Sequence, residues 1–236
     1  MMSIANPLNP QAEIGAGIPD DLARTRQPQY GRYLDELEHG QEFEHPRGFT
    51  FDRAGMLDFA RTFMQANPLY LNLEYARAHG FSDLPASPQM VFNVTLSLGV
   101  QNDSEKAIAN LGYYQVQFLR PVYPGDTLRA FTRVLDRKDR GADKPGIVTI
   151  RTVGVNQDDR VVLQYERKIM VGWRGERLPT TPAPPAPADF PGEESPVLEL
   201  PVQNSDYGAG LAGPNTWFED YTPGDIIVHA NGRTIT

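Results

Sequence analysis

The chain has 236 residues, of which 40% are hydrophobic, and this is enough apolar material to build a packed core. Its 22 Lys and Arg are outnumbered by 30 Asp and Glu, and the net charge of −8 argues against a nucleic-acid or anionic-membrane surface. The absence of cysteine excludes disulfides, cysteine-zinc sites, iron–sulfur clusters and a cysteine nucleophile. The N-terminal stretch MMSIANPLNPQAEIGAG has neither a basic start nor a long apolar segment. We therefore expect a cytoplasmic protein with no secretory signal and no membrane span.

Composition divides the chain into four parts. Residues 1–32 are punctuated by Pro, Gly and Gln, which predicts a loosely held N-terminal arm. Regular hydrophobic patterning covers residues 33–172, which we interpret as one folded domain. Residues 173–213 are rich in Pro and then in Gly, which predicts an extended linker that ends in a flexible joint. Residues 214–236 then begin another patterned unit.

This last unit repeats the start of the folded domain. YLDELEHGQEFEHPRGFTFD, which begins at Tyr33, aligns without a gap over WFEDYTPGDIIVHANGRTIT, which begins at Trp217. The identical positions are Gly40 and Gly224, His45 and His229, Gly48 and Gly232, and Thr50 and Thr234. The alignment predicts an internal duplication. We therefore expect residues 214–236 to be the opening of a second repeat that is incomplete in this chain.

The pattern of residues 33–172 predicts an α+β domain. The expected elements, in order, are a strand over 43–51, helices over 54–66 and 73–79, a helix that begins at Ser87 and Pro88, and strands over 113–119, 127–135, 147–155 and 161–171. The third helix contains the nearly continuous apolar run QMVFNVTLSLGV, so we expect it to be buried on most sides. An antiparallel meander needs such a helix to cover one face. A sheet wrapped around one buried helix is the hot-dog architecture.

Two segments resemble a known enzyme family. FLRPVYPGDTLRAFTRV (118–134) resembles a stretch shared by the MaoC-like hydratases, which are hot-dog enzymes acting on acyl-CoA thioesters, and FARTFMQANPLYLNLEYARAHGF (59–81) resembles their active-site segment. The run from NLGYYQVQFLRPVYPGDTL to VLQYERKIMVG is similar to one branch, the two-repeat mesaconyl-CoA (2-methylfumaryl-CoA) hydratases. The resemblance implies a lyase that reversibly hydrates an α,β-unsaturated acyl-CoA, with β-methylmalyl-CoA as the hydrated form of mesaconyl-CoA. It also implies that no metal or redox cofactor is required.

The residues that the family uses for catalysis are replaced in this repeat. The (R)-specific hydratases read Gly-Asp-x-Asn-Pro-Ile-His, and their Asp and His jointly hold the water. Here Gln65 stands at the Asp position and Tyr70 at the His position, while Asn67 is retained. Glutamine has no titratable proton, and a tyrosine with a pKa of ~10 is a poor base at neutral pH. Where the family has a glycine N–H for the oxyanion hole, Ser87 is followed by a proline without one.

Two interpretations of the site therefore stay open. In the first, the catalytic groups belong to the second repeat, and residues 33–172 shape the acyl or CoA pocket. In the second, Gln65, Tyr70 and Asn93 of this repeat hold a water molecule or the far carboxylate of the substrate. The candidate substrate-binding residues are Asn67, Ser87, Asn93 and Arg120, the last through a CoA phosphate.

Each candidate also has a structural explanation. Tyr70 could be packing, Gln65 could bond a turn at a helix end, and Arg120 could be a solvated charge. Asn93 lies in an apolar helix, where a buried amide must find partners. The four histidines show no metal-ligand spacing, and the shared position of His45 and His229 indicates a structural hydrogen bond.

Competing functions are a catalytically silent acyl-CoA-binding module and a thioesterase of the same fold. For these and for the hydratase we expect an acyl-CoA ligand and either a homo-oligomer or a pseudo-dimer of repeats, because a lone hot-dog unit leaves sheet edges and an apolar helix flank to cover.

Overall fold

The computed structural model describes residues 30–141, 144–174, 190–191, 197–208, 210 and 218–228. The helices are α1 (Arg53–Thr62), α2 (Leu73–Ala78) and α3 (Pro88–Asp103), and the strands are β1 (Glu42–Thr50), β2 (Ala107–Phe118), β3 (Thr127–Lys138), β4 (Gly146–Val155) and β5 (Val161–Val171). The five strands form one antiparallel sheet in the order β1-β3-β4-β5-β2. Strands β1 and β2 are thus its two edges.

Helix α3 lies across the sheet, as the hot-dog prediction requires. It begins where predicted, with Ser87 as N-cap accepting a hydrogen bond from the Met90 N–H and Pro88 in the first turn. Its buried side packs on sheet residues such as Leu163 and Tyr165. Each apolar side chain fully buried in this way contributes ~1.5–3 kcal/mol. This helix-to-sheet core therefore fixes the position of the α3 N-terminus.

The expectation that α3 is buried on most sides holds except along one stripe. Gln89, Asn93 and Ser97 are spaced four residues apart and are exposed, whereas the other residues of α3 are buried or half-buried. Asn93 is therefore not the buried amide that we expected.

Two element bounds differ from the prediction by four residues or more. Helix α1 ends at Thr62 rather than at residue 66, because Phe63 and Met64 are exposed and the backbone of Met64 turns to a φ of 52°. Strand β2 begins at Ala107 rather than at residue 113. Its register against β5 shifts three times, and Gly112 and Gln115 have positive φ. These irregularities interrupt the alternation of apolar and polar residues, which is why the sequence pattern did not indicate the first part of the strand.

Part of the predicted linker is docked on the domain. We call residues 197–207 the strap. The Glu199 N–H donates to the Leu119 carbonyl (2.8 Å), and the Gln203 N–H donates to the His79 carbonyl (2.9 Å). The Tyr207 ring lies edge-on to Tyr75 in α2, with 6.4 Å between ring centroids. Most of the predicted arm and of the rest of the linker lies outside the described residues.

The predicted duplication has a structural counterpart in two similar turns. Residues Leu34–Glu36 and Phe218–Asp220, which correspond in the alignment, both form a 3₁₀ turn. Gly40 and Gly224, which also correspond, have φ values of 78° and 99°.

The hydrogen bonds around these glycines match as well. In the first turn the Gln41 N–H donates to the Glu38 carbonyl (3.1 Å), and the Gln41 side chain accepts from the Glu38 N–H (2.9 Å). In the second, Asp225 makes the same two bonds with Thr222, at 3.0 and 2.8 Å. After the first turn the chain enters β1, whereas residues 226–228 are exposed and not in a strand. The domain division stays a prediction that these turns support.

A polar cluster is buried under the C-terminal end of α3. His45 Nε2 is 2.9 Å from Thr132 Oγ1, and Asp103 accepts from Thr132 (3.1 Å) and from Arg167 (3.1 Å). These side chains are 5% exposed or less. Burial lowers the pKa of His45, so its ring is neutral at pH 7. The predicted structural hydrogen bond of His45 is confirmed, and His229 lies outside the described residues.

Candidate functional site

A small cavity lies beside the N-terminus of α3, and it contains the residue at the family's histidine position. Its volume is about 120 Å³. Its walls come from the 3₁₀ turn at Pro68–Tyr70, the start of α3, the end of β2 and the strap. The lining is mainly apolar and includes Leu69, Tyr70, Phe81, Pro88, Val91, Phe118, Arg120 and Leu200.

Tyr70 reaches this cavity because of the turn that precedes it. The Asn67 side-chain oxygen accepts from the Leu69 N–H (2.9 Å), and Pro68 occupies the first position of the turn. Asn67 is thus the cap of the turn. Burial raises the pKa of the Tyr70 hydroxyl above its ordinary value. The hydroxyl stays protonated at neutral pH, so it can donate a hydrogen bond but cannot serve as a base.

Gln65 does not share the cavity with Tyr70. Its Nε2 donates to Gln89 Oε1 (3.0 Å), and its own Oε1 is buried with no hydrogen-bond partner. That oxygen is a free acceptor for a water or a ligand donor. The structure therefore does not bring the two positions of the usual catalytic pair together in one cavity.

Three of the first backbone positions of α3 have no N–H to offer an oxyanion. Pro88 has no N–H, the Met90 N–H donates to the Ser87 hydroxyl (3.3 Å), and the Val91 N–H donates to the Ser87 carbonyl (3.1 Å). Ser87 is 4% exposed and acts as a helix cap. The oxyanion donor that the family draws from a glycine at this point is thus missing, as the sequence predicted.

Asn93 lines a different depression, which lies between α3, α1 and β1. It has a volume of about 390 Å³ and is bordered by Phe49, Phe59, Met90 and Ser97. Asn93 is exposed there and lies apart from the lining of the Tyr70 cavity. The three residues of the second interpretation, Gln65, Tyr70 and Asn93, are therefore not brought to a common point.

Arg120 lines the Tyr70 cavity and is paired with the strap. Its Nε and Nη2 donate to the two carboxylate oxygens of Glu199 (3.0 and 2.6 Å), and its Nη1 donates to the Val161 carbonyl (2.5 Å). These bonds lower the pKa of the Glu199 carboxyl. Arg120 is thus 14% exposed and paired with Glu199, rather than a solvated charge. Sequence reasoning missed Glu199, because this residue lies in the proline-rich stretch that predicted a linker.

A second, basic cavity was also missed from the sequence. It measures about 360 Å³ and lies near the C-terminal end of α3. Arg32, Arg47, Lys106 and Arg174 line it, together with Glu36, which pairs with Arg174. Among the described residues no group of three or more His, Asp or Glu side chains could hold a metal ion. No helix in the described part of the chain is both long and apolar enough to cross a membrane.

Comparison with known proteins identifies the family. The family model described as mesaconyl-CoA hydratase matches residues 17–183. The chain belongs to the mesaconyl-CoA hydratase family. It is 33% identical to the mesaconyl-CoA hydratase of Cereibacter sphaeroides over 208 residues, which cover 87% of this chain and 60% of that protein. It is 32% identical to the beta-methylmalyl-CoA dehydratase of Chloroflexus aurantiacus over 209 residues, 87% of this chain and 58% of that protein.

Solved structures agree with this family and confirm the predicted fold. A MaoC domain protein of Chloroflexus aurantiacus superposes with a TM-score of 0.70 at 28% identity, covering 85% of this chain and 57% of that one. A Mycobacterium tuberculosis protein with a double hot-dog fold gives a TM-score of 0.58 at 25% identity, covering 68% of this chain and 53% of that one. This chain thus spans about 60% of the length of the two curated relatives.

Proposed function

We propose that the protein hydrates and dehydrates an α,β-unsaturated acyl-CoA thioester, with mesaconyl-CoA as the enoyl form and β-methylmalyl-CoA as the hydrated form. In the forward direction the water oxygen bonds to the β-carbon and a proton is delivered to the α-carbon. The observation that carries this proposal is the family match over residues 17–183, together with the names of the two relatives. No metal or redox cofactor is part of the proposal, because the thioester itself acidifies the α-carbon.

Within this reaction, residues 33–172 are proposed to bind the acyl group. The Tyr70 cavity is apolar, as an acyl chain requires, and the protonated Tyr70 hydroxyl can donate to an oxygen of the ligand. Asn67 and Ser87 then contribute by holding the turn and the helix start that form the cavity walls. Gln65 is proposed to help position ligand or water through its unpartnered Oε1.

The acid–base pair is proposed to come from a second copy of the unit. Hydration needs one group that takes a proton from water and one that gives a proton to carbon. Gln65 cannot titrate, and Tyr70 is held protonated in a separate place. The matching turns at Leu34–Glu36 and Phe218–Asp220 support a second copy.

A silent acyl-CoA-binding module is the second candidate function. It is favoured by the same separation of Gln65 from the Tyr70 cavity. In either case we propose a cytoplasmic homo-oligomer. The support for assembly is the edge strand β2, where Ile108, Leu111, Tyr113, Tyr114 and Val116 are between 37% and 63% exposed.

The test follows the enoyl-thioester absorbance of mesaconyl-CoA after the full-length natural protein is added. Loss of absorbance with no release of free thiol is expected for a hydratase. Release of thiol would instead indicate the thioesterase. If calorimetry shows mesaconyl-CoA binding while the absorbance stays constant, the hydratase proposal fails and the silent module stands.

A further inference from the structure

The guanidinium of Arg120 is held in a fixed orientation at the edge of the Tyr70 cavity. Its Nη1 donates to the Val161 carbonyl (2.5 Å) at the start of β5, so the sheet itself sets its position. The side chain is 14% exposed. The opposite edge, formed by Nε and Nη2, is the fork that matches the two oxygens of a carboxylate. The domain thus presents a carboxylate receptor beside an apolar cavity.

The carboxylate that fills this receptor comes from the strap. Both oxygens of Glu199 accept from the fork, at 3.0 and 2.6 Å, and Glu199 Oε2 also accepts from Arg160. The next residue, Leu200, is part of the cavity wall. One short segment therefore supplies both a carboxylate for Arg120 and an apolar cover for the cavity.

The strap buries little apolar surface against the rest of the domain. Its described contacts include two backbone hydrogen bonds, from Glu199 to Leu119 and from Gln203 to His79. Its apolar side chains stay largely in solvent: Val197, Leu198, Leu200 and Val202 are 42% to 64% exposed. A segment with few buried groups opens at low cost.

We propose that Arg120 binds the free carboxylate of a dicarboxylic acyl-CoA, and that Glu199 is an internal carboxylate which the substrate displaces from Arg120. This inference rests on the proposed acyl-binding function of the cavity. When the substrate carboxylate replaces that of Glu199, the partly buried guanidinium of Arg120 is paired both before and after binding. This avoids the cost of leaving a buried charge uncompensated. An acyl-CoA whose acyl group carries no free carboxylate cannot replace Glu199 on Arg120. Arg120 and Glu199 together then select dicarboxylic acyl groups.

The experiment measures binding without turnover. Methylsuccinyl-CoA has a free carboxylate and no double bond, so it cannot be hydrated, and 2-methylbutyryl-CoA has the same branched chain without the carboxylate. Each is titrated calorimetrically into the wild type and the Glu199→Gln, Arg160→Gln and Arg120→Gln variants. Glu199→Gln removes the competing charge with little change in shape. We expect it to tighten methylsuccinyl-CoA binding by about tenfold and to leave 2-methylbutyryl-CoA unchanged.

The other variants separate carboxylate exchange from a structural role. Arg160→Gln weakens the hold on Glu199 without touching Arg120, so a smaller gain in the same direction is expected. Arg120→Gln should remove the preference for methylsuccinyl-CoA. In the wild type, methylsuccinyl-CoA should speed hydrogen exchange at the amides of Glu199 and Gln203, and 2-methylbutyryl-CoA should not. Thermal melts confirm that each variant is folded.

The outcomes distinguish this inference from the proposed function. If 2-methylbutyryl-CoA binds but Glu199→Gln affects both ligands equally or neither, carboxylate exchange is wrong and the acyl-binding function stands. The same holds if the amides of the strap exchange no faster with methylsuccinyl-CoA. If neither thioester binds any folded variant, both proposals fail for this domain.

Discussion

A β-carbon at position 80 would lie only 2.0 Å from the carbonyl oxygen of Pro201, so the strap backbone can pack here only against Gly80. Gly80 also has a φ of +94°, which L side chains rarely adopt. It follows the end of α2 and allows the strap backbone to approach closely. The docking of the strap thus depends on one glycine in the folded domain.

Replacing Gly80 with alanine should detach the strap. The added methyl overlaps the Pro201 carbonyl, so the hydrogen bond from Gln203 to His79 is expected to break. The rate of hydrogen exchange at the Gln203 amide should rise to the rate of an unstructured peptide. Gly125→Ala is the matched control, because Gly125 has a φ of +98° but open space around a β-carbon. If both variants leave exchange in the strap unchanged, this account of the docking is wrong.

Much of the fold was readable because its signals are local. The cap at Ser87 and Pro88, the alternation at the start of β4 and the turn between β4 and β5 depend on neighbours in sequence, and all were predicted correctly. The exposure of Asn93 was not, since it depends on how far one sheet reaches around α3.

The candidate site could be predicted only in part, because its arrangement depends on tertiary contacts. The replaced positions Gln65 and Tyr70 follow from a motif, but their separation is a matter of tertiary packing. The pairing of Arg120 with Glu199 joins residues 79 positions apart through a proline-rich segment. The composition of that segment does not indicate whether it packs on the domain or extends into solvent.

Gly40 and Gly224 allow the two matching turns to be compared directly. Both have positive φ, and an added β-carbon would meet open space at either position, so alanine adds only backbone strain of about 1–2 kcal/mol. The Gly40 N–H donates to Val134 in β3, which ties the first turn to the sheet. Gly40→Ala should therefore lower the unfolding midpoint of the domain in this chain.

Gly224→Ala should leave that midpoint unchanged, because residues 218–228 of this chain are exposed. Urea unfolding of the two variants, followed by circular dichroism, measures the difference. An equal loss in both would mean that the second turn is integrated into the first domain.

The buried His45 predicts a fall in stability on mild acidification. Burial lowers the pKa of His45 below its ordinary 6.5, while Asp103 partly opposes this effect and Arg167 and Arg32 add to it. The unfolded state therefore binds a proton at His45 before the folded state does. The stabilisation is complete above pH 6.5 and is lost as the pH falls from there towards the folded-state pKa.

The free energy of unfolding of the wild type should accordingly decline between pH 7 and pH 5. His45→Gln retains a hydrogen-bonding side chain but has no titratable ring, so its decline over this interval should be smaller. Urea unfolding at both pH values gives the comparison. Parallel declines in the two proteins would show that His45 does not carry the effect.

Substitutions at Gln65 and Tyr70 test whether this domain supplies the chemistry. Removing a true general acid or base lowers kcat by about 10²–10⁴-fold. In the full-length natural protein, Gln65→Ala and Tyr70→Phe should each lower kcat for mesaconyl-CoA hydration by less than about tenfold, because neither group can act as a base. Tyr70→Phe should mainly raise KM, since it removes one donor from the acyl cavity. A loss of 10²-fold or more in kcat for either variant would instead place the catalytic water in this domain.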